Sequence, residues 1–330
     1  MSAASLTPHV PAPHAVELQA PDISPWADSP LGTPYVHERS SGVAGPEVLV
    51  TALMHGNEFS GAWALDAFLR SGLQLRRGRV TAAFCNVAAF HQFDTARPDA
   101  SRFADEDMNR VWSAARLDGD AHSTELARAR ALRPFADRAT HLLDLHSMHE
   151  PCEPLLVAGT LARNTAFGRS LGLGAQVIVD EGHADGVRLR DYGPFGDPQG
   201  QAIALLLEAG QHWDIASLHT ARNALMRFLL AAAVVERADI PAGWLLPDAP
   251  SPAAIDVTHR VVAQSPDFAF AQDFQGGELI AQQGTVIAID AGQPVTTPYD
   301  DCVLVMPSIR QLRPGVTTVR LGRRRSVSLA

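Results

Sequence analysis

The feature that most constrains the fold is the stretch from Val48 to Glu58, in which a mostly apolar run ends at the sequence His55-Gly56-Asn57-Glu58. Such a run is typical of a strand buried in a parallel sheet. A helical pattern follows over residues 59–69, so His55 and Glu58 are predicted at the carboxyl end of a strand, where open α/β sheets place their ligands. An imidazole and a carboxylate at this spacing can face one point. A second, distant histidine would complete a three-ligand zinc site with an open position.

Alternating strands and helices predict an α/β fold with a largely parallel, mixed central sheet flanked by helices. After a proline-containing segment at residues 242–252, short strands punctuated by glycine and aspartate replace this pattern. We therefore expect two domains: residues 1–247, which begin with a lead-in segment over residues 1–40, and a small C-terminal all-β domain over residues 253–330. The predicted strands lie near Tyr35 and at 48–53, 79–86, 140–145, 155–158, 176–179, 202–207, 258–263, 278–281, 285–289, 302–306 and 317–320; the predicted helices lie at 59–69, 121–138, 162–170 and 215–237. Residues 88–107 and 181–201 are predicted to be long, functional loops.

The charge and composition exclude several classes of function. The formal net charge of −9 argues against nucleic acid or an anionic membrane as the main partner. All basic residues other than histidine are arginine, so a Schiff-base lysine and a P-loop lysine are excluded. The three cysteines are far apart and odd in number, which offers no disulfide framework. Without a signal-peptide pattern or an apolar run of spanning length, the sequence predicts a cytoplasmic protein.

Two further predicted strands end at residues suited to metal or acid–base chemistry. His146 follows Leu142-Leu143-Asp144-Leu145, and strand alternation places Asp144 on the same face, where it can orient a ligand. Glu208 follows an apolar strand, at a position where an unpaired carboxylate is costly to bury. Such a placement would be useful if the carboxylate served as a general base beside a metal-bound water. Taken alone, the pattern around His146 favours a hydrogen-bonded core histidine over a metal ligand.

The polar loop before the second helix contains Arg102, Asn109 and Arg110. Such residues can clamp a carboxylate and polarise a carbonyl group. The alternative is that the arginines form surface ion pairs with Asp105, Glu106 or Asp107 of the same loop.

In combination, these motifs resemble the zinc carboxypeptidase superfamily and, more closely, its succinylglutamate desuccinylase and aspartoacylase family. The motifs are His-Gly-Asn-Glu after an apolar strand, Asp-Met-Asn-Arg, Asp-Leu-His and Glu-Ala-Gly-Gln, and they cover about residues 45–215 in this order. The resemblance implies a zinc-carboxypeptidase-like domain with one Zn²⁺ per chain. It implies His55, Glu58 and His146 as the zinc ligands and Glu208 as the base that activates a zinc-bound water.

The same resemblance implies roles in substrate binding. Arg102 matches the arginine that polarises the scissile carbonyl, and Asn109 and Arg110 match the pair that holds the substrate's carboxylate. Family members whose acyl group has its own carboxylate carry a further arginine shortly before the base, whereas residues 194–207 contain none. The nearest candidates are Arg188 and Arg190. The absence of an arginine just before the base argues against an acyl group that has its own carboxylate and leaves a small neutral acyl group such as acetyl compatible with the sequence.

Further residues that could orient a ligand or shape the pocket are Asp144, His183 and Tyr192, together with Asp191 in the same loop as the last two. A family tyrosine from the C-terminal domain has no clear match, and Tyr299 and Phe274 are only candidates.

The C-terminal domain resembles the barrel-sandwich shape of biotinyl and lipoyl carriers in Gly284-Thr285-Val286-Ile287 and in residues 298–307. A carrier role is excluded because there is no lysine to bear the prosthetic group. The expected role is a cap over the active-site mouth that restricts substrate size. The domain could equally provide a dimer surface, so a homo-oligomer is left open.

The predicted function is zinc-dependent hydrolysis of an N-acyl amino acid or a related small amide, with a carboxylate-bearing small molecule as the partner. One alternative is a metallocarboxypeptidase that acts on short peptides through the same metal and base. The other is a non-catalytic zinc- or ligand-binding protein on the same scaffold. Binding alone needs neither Glu208 nor Arg102, which disfavours this second alternative.

Overall fold

The computed structural model describes residues 14–183 and 185–325, and part of the predicted lead-in segment, residues 1–13, lies outside them. The strands are β1 (Val36–Ser40), β2 (Glu47–Ala52), β3 (Arg79–Phe84), β4 (His141–Met148), β5 (Leu155–Val157), β6 (Gln176–Val179), β7 (Ile203–Gln211), β8 (Ile255–Val262), β9 (Ala269–Phe270), β10 (Leu279–Ile280), β11 (Val286–Asp290), β12 (Gln293–Thr296), β13 (Cys302–Val305) and β14 (Thr317–Arg324). The α-helices are α1 (Phe59–Arg70), α2 (Val87–Phe90), α3 (Ala114–Asp118), α4 (Thr124–Arg138), α5 (Ala162–Ser170), α6 (Gly193–Gly196) and α7 (Ile215–Ala231). Short 3₁₀ helices lie at Ser24–Trp26, Pro98–Ser101, Met108–Arg110, Leu189–Asp191 and Arg237–Asp239.

A mixed sheet of eleven strands has the order β1-β3-β2-β4-β7-β5-β6-β8-β14-β13-β10. Strand β2 pairs in parallel with β3 on one side and with β4 on the other. The chain thus leaves β2 in one direction, through α1 to β3, and returns to its other side through α4 to β4. A reversal of this kind opens a crevice at the carboxyl ends of the strands, which is where α/β sheets bind their ligands.

Alternate residues of the central strands face two apolar layers. Val48 and Val50 face the layer that contains α1 and α7, while Leu49 faces the layer that contains α4. Helix α1 lies close to the sheet at Gly61, where a Cβ atom would come within 2.7 Å of the Leu145 side chain. The central strands are therefore covered on both faces, which explains why they are continuously apolar.

The predicted α/β class with a mixed, largely parallel central sheet is confirmed, but several boundaries were wrong. His146 and Glu208 were expected at strand ends, yet both lie inside strands that continue for a few residues, because β4 and β7 remain paired beyond them. Helix α7 ends at Ala231 rather than at residue 237. Ala233 adopts a left-handed conformation with φ of 56°, and such a residue cannot continue the helix. Strands β9 and β12 were missed, since four residues or fewer give little periodicity.

The C-terminal region contains only strands in its regular structure from residue 255 to 324, as expected, but it is not isolated from the rest of the fold. Strand β8 pairs in parallel with β6, with Ile255 opposite Ile178, and β14, β13 and β10 extend the same sheet. Strands β9, β11 and β12 form a second, three-stranded sheet. Within the described residues, no helix is both long and apolar enough to cross a membrane.

Candidate metal centre and active site

The turn after β2 positions the first two predicted ligands. Leu53 has a φ of 57°, a left-handed conformation that redirects the chain as it leaves the strand. Gly56 donates its backbone N–H to the carbonyl oxygen of Arg102 at 3.0 Å, and a Cβ atom on this glycine would collide with the backbone of Ala89 and Ser101. Only glycine therefore lets the loop that carries Arg102 pack against the turn that carries His55.

Glu58 occupies the N-cap position of α1 but does not cap the helix with its side chain. Its carboxylate instead faces two imidazoles: Oε1 lies 2.7 Å from Nδ1 of His55, and Oε2 lies 2.9 Å from Nδ1 of His146. All three side chains are buried. Their candidate ligand atoms lie within 4.8 Å of one another. The structure thus brings the three predicted metal ligands together.

The outer nitrogen of each histidine faces an aspartate. Nε2 of His146 lies 2.9 Å from Asp144 Oδ2, and Nε2 of His55 lies 3.0 Å from Asp107 Oδ1. Asp144 is itself held by a 2.7 Å hydrogen bond from the Thr51 hydroxyl. Metal-binding histidines commonly donate the second ring N–H to a carboxylate, which leaves Nδ1 free for the ion. Asp107 was not singled out from the sequence for this position.

The residues present fit a zinc ion. Two imidazole nitrogens and one carboxylate form the donor set of catalytic zinc sites, and the adjoining cavity leaves space for a further ligand. Burial alone would raise the pKa of the Glu58 carboxyl, but the adjacent His55 and His146 hold it well below its usual range. Burial would likewise lower the pKa of His146, which Asp144 and Glu58 instead raise well above its ordinary value. These buried charges stabilise one another, and a divalent cation could replace the imidazole protons among them.

Glu208 is opposite His146 in the β4–β7 pairing and lines the same cavity. Its Oε2 atom is buried and has no hydrogen-bond partner among the described residues. Burial raises the pKa of the Glu208 carboxyl to about 8, and the positive charges of His146 and Arg102 only partly oppose this effect. A buried carboxyl oxygen without a partner is costly to the fold, and a raised pKa is typical of a group that accepts and donates protons.

Arg102 reaches the ligand cluster from the loop before α3. Its Nη1 donates to Oε1 of Glu58 at 3.2 Å, and its Nη2 lies 3.0 Å from Nε2 of His55 and 3.6 Å from Asp107. The guanidinium group therefore lines the cavity directly beside the predicted ligands. Of the ion pairs considered as the alternative for this arginine, the one with Asp107 is present, and it lies at the cavity rather than on the open surface.

Asn109 and Arg110 lie farther along the same wall of the cavity. The side-chain Oδ1 atom of Asn109 accepts a hydrogen bond from the backbone N–H of Leu189 at 3.0 Å. Arg110 donates to Asp185 at 3.2 Å, and its Nη2 lies 3.8 Å from Asp107. Both predicted substrate-binding residues thus face the cavity, and the contact with Leu189 joins them to the second long loop.

The remaining predicted pocket residues divide into two groups. His183 lines the cavity, with its ring 2.9 Å from Nη2 of Arg320. Tyr192 is not among the residues that line it. Its ring packs against Trp112, and its hydroxyl group accepts a hydrogen bond from Arg133. An aromatic residue in a polar loop gives no sequence signal of which way it will face.

Four residues were considered as replacements for the family's acyl-binding arginine and its C-terminal tyrosine, and one of the four, Arg188, lines the cavity. Arg188 reaches the cavity wall but bonds Asp180 and Asp191, and Arg190 is buried against the carbonyl oxygen of Ala158. Tyr299 and Phe274 pack in the core of the C-terminal region and do not line the cavity.

The cavity of about 210 Å³ also contains residues that the sequence did not indicate. His149 follows β4 and contacts His212, whose other ring nitrogen lies 2.8 Å from the Ser147 hydroxyl group. The C-terminal region contributes Met306, Ser308, Gln311, Thr317 and Arg320. No local motif marks these residues, because the tertiary pairing of β8 and β14 brings them to the site.

Comparisons with known proteins identify the family and the fold. The model of the succinylglutamate desuccinylase/aspartoacylase catalytic domain matches residues 44–233. A probable aspartoacylase from Parasynechococcus marenigrum is 35% identical over 106 residues, which span 31% of this chain and 33% of that protein. The aligned part is thus about a third of that relative's length.

Solved structures with little sequence identity share the fold. A succinylglutamate desuccinylase from Chromobacterium violaceum superposes with a TM-score of 0.62 at 20% identity, over 89% of this chain and 90% of its own. The product-bound ectoine utilization protein EutE (DoeB) from Ruegeria pomeroyi gives a TM-score of 0.62 at 18% identity, over 87% of each chain. The family model covers more than half of the chain and includes every predicted ligand. The chain therefore belongs to the succinylglutamate desuccinylase/aspartoacylase family, whose name denotes hydrolytic deacylases.

Proposed function

We propose that this protein is a zinc-dependent amidohydrolase that removes the acyl group from an N-acyl amino acid or a close relative. The observation that carries the proposal is the position of Glu208. Its carboxyl group faces the same cavity as the His55–Glu58–His146 cluster, on the strand next to the one that carries His146, and its buried Oε2 atom has no hydrogen-bond partner among the described residues. A protein that only bound a metal would gain nothing from this costly placement.

When bound, zinc would supply a Lewis acid and lower the pKa of a water at its open position. His55, Glu58 and His146 would hold the ion, while Asp107 and Asp144 would fix the orientation of the two imidazoles. Glu208 would accept a proton from the attacking water and return it to the leaving nitrogen. Its raised pKa suits both transfers near neutral pH.

Arg102 would donate hydrogen bonds to the carbonyl oxygen as negative charge develops on it. Its guanidinium group is already oriented toward the ligand cluster by Glu58, so little reorganisation is needed. Asn109 and Arg110 would bind the carboxylate of the amino-acid half. This assignment follows from their shared wall of the cavity and from the geometry by which arginine recognises carboxylates.

The test is a panel of N-acyl amino acids and dipeptides, assayed with the zinc-supplied protein by measuring the released amine. Release from N-acyl amino acids is expected, and it should be lost after treatment with a chelator and restored by zinc. Activity on dipeptides alone would contradict the proposal in favour of a metallocarboxypeptidase. Stoichiometric zinc binding without release from any member of the panel would favour a non-catalytic protein.

A further inference from the structure

Glu125, in the first turn of α4, is a fully buried carboxylate that accepts four hydrogen bonds. Its Oε1 atom accepts one from the side-chain amide of Asn86 at 2.9 Å and one from the backbone N–H of Ala104 at 2.6 Å. Its Oε2 atom accepts the backbone N–H groups of Asp105 and Glu106 at 3.1 and 3.2 Å. None of these four donors carries a charge, so these contacts do not make Glu125 one half of an ion pair.

Three of the four donors are consecutive peptide groups of the loop, at residues 104–106. Burying a carboxylate is costly unless hydrogen bonds replace its lost hydration. Successive backbone N–H groups that face one point form a binding site for an anion, and the first turn of a helix also favours a negative charge. The carboxylate therefore fixes three neighbouring peptide groups of this loop in one conformation.

The segment 104–106 joins the two residues of the loop that contact the predicted ligands. Arg102 precedes the segment by two residues and donates to Glu58, while Asp107 follows it directly and lies 3.0 Å from Nε2 of His55. None of the four hydrogen bonds of Glu125 involves Arg102 or Asp107. An influence of Glu125 on the site therefore passes through the backbone of residues 104–106.

Helix α4 gives the carboxylate a firm position. Its buried residues Leu126, Ala129 and Leu132 pack in the apolar layer on one face of the central sheet. The side chain of Glu125 is thus ordered by the helix and by Asn86 as well as by the loop. The conformational freedom that these bonds remove is mainly that of the loop backbone.

Other contacts between the loop and the start of α4 use a side chain that is partly exposed. The carboxylate of Glu106 accepts hydrogen bonds from the Ser123 hydroxyl group and from Arg116, and the Glu106 side chain is 29% exposed. These bonds hold a side chain of the loop rather than its peptide groups. They provide a matched comparison for the contacts of Glu125.

We infer that Glu125 is a positioning residue, which holds the backbone between Arg102 and Asp107 in the conformation that places both beside the predicted ligands. Glu125 does not line the cavity and is not a catalytic residue. The inference rests on the proposed function where it concerns turnover through Arg102. Where it concerns Asp107, it rests on the contact with His55 and on metal binding alone.

The experiment is a pair of double-mutant cycles, because a residue that acts through another loses its effect when that other residue is removed. Glu125→Gln keeps the shape of the side chain but turns an NH₂ group toward backbone N–H donors. At saturating zinc it should lower kcat by about 10- to 100-fold, as the misplacement of a reacting group does. It should also weaken zinc binding by about 10-fold, since Asp107 orients a ligand. The effect on kcat should vanish in Arg102→Met, and the effect on zinc affinity should vanish in Asp107→Asn.

The matched control is Glu106→Gln, which removes the charge of the partly exposed partner and should leave kcat and zinc affinity unchanged. An equal loss in Glu106→Gln would overturn the inference. So would effects of Glu125→Gln that persist undiminished in the two variant backgrounds. A lower Tm with unchanged kcat and zinc affinity would also overturn it and make Glu125 a structural residue only.

If Glu125→Gln does not fold, the same cycles are measured with Glu125→Asp, which keeps the charge but is too short by one methylene group to make all four bonds. The proposed function and this inference can fail separately. A wild-type protein that hydrolyses no N-acyl amino acid would contradict the proposed function. The zinc-affinity cycle would then still decide the role of Glu125, because metal binding requires no turnover.

Discussion

His146 and Glu208 lie directly opposite each other on the adjacent parallel strands β4 and β7. Paired residues in neighbouring strands project to the same face of the sheet. The predicted metal ligand and the predicted base are therefore held side by side by backbone hydrogen bonds rather than by a flexible loop. Rigid elements of this kind position reacting groups more accurately than loops do.

We expect Glu208→Gln to lower turnover by about 10²- to 10⁴-fold, the usual contribution of a general acid–base group. Glutamine keeps the size and most of the polarity of the side chain but cannot accept the proton. Zinc content, measured by atomic absorption, should be unchanged, because Glu208 is not among the three clustered ligands. Glu153→Gln, at an exposed position, is the control. Wild-type turnover in Glu208→Gln would remove Glu208 from the mechanism.

We expect Asp144→Asn and Asp107→Asn each to weaken zinc binding by about 10- to 100-fold, because each aspartate orients one histidine. The affinity can be measured by competition with a fluorescent chelator. Asp99→Asn is the comparison, since Asp99 contacts His149 rather than a predicted ligand. If neither exchange changes the affinity, Nδ1 is not the atom through which the two histidines bind the ion.

We expect Arg102→Met to lower kcat by about 10²- to 10³-fold, as the loss of a donor to a developing oxyanion does. Zinc content should be preserved. Arg97→Met, in the same loop but with a side chain that is 77% exposed, should behave like the wild type. A rise in KM with an unchanged kcat would instead indicate that Arg102 binds the ground state and the transition state equally.

The stability of the metal-free protein should depend on the protonation of Glu208. The folded-state pKa of its carboxyl is about 8 and the ordinary value is 4.5, so the folded state holds an additional proton between these two values. The free energy of unfolding should therefore fall as the pH rises from about 4.5 to about 8 and then level off. Glu208→Gln removes this contribution, so the metal-free variant should gain stability relative to the wild type across the window. Urea unfolding at several pH values measures the difference, and parallel pH profiles would contradict the prediction.

Much of the central fold could be predicted because its sequence patterns are local. The apolar strand before His55 and the helix from Phe59 show their patterns within about a dozen consecutive residues or fewer. Helix α5 and strand β6 have the predicted bounds. That the three predicted ligands lie together could also be anticipated, because the family resemblance named them and because His55 and His146 follow or lie within buried strands of the same sheet.

The surroundings of the ligands could not be predicted in the same way. Asp107 belongs to a recognised motif, but only the folded loop shows that it faces His55. Arg320 is more than a hundred residues from Glu208 in the sequence, and a pairing between β8 and β6 brings the two to one cavity. Contacts of this range depend on the register of strands, which short and weakly periodic strands do not encode locally.

The hydrogen-bonded sheet runs without a break from β1 to β10, so the central strands and the C-terminal strands that line the cavity belong to one continuous sheet. An insertion in the connection between α7 and β8 would not move the C-terminal strands away from the central strands, because the pairing of Ile178 with Ile255 would keep β8 beside β6. A shift of β14 by one residue against β8 would have a different effect. It would turn Arg320 to the opposite face of the sheet and would remove its guanidinium group from the cavity wall, while the predicted metal ligands and the predicted base would keep their places.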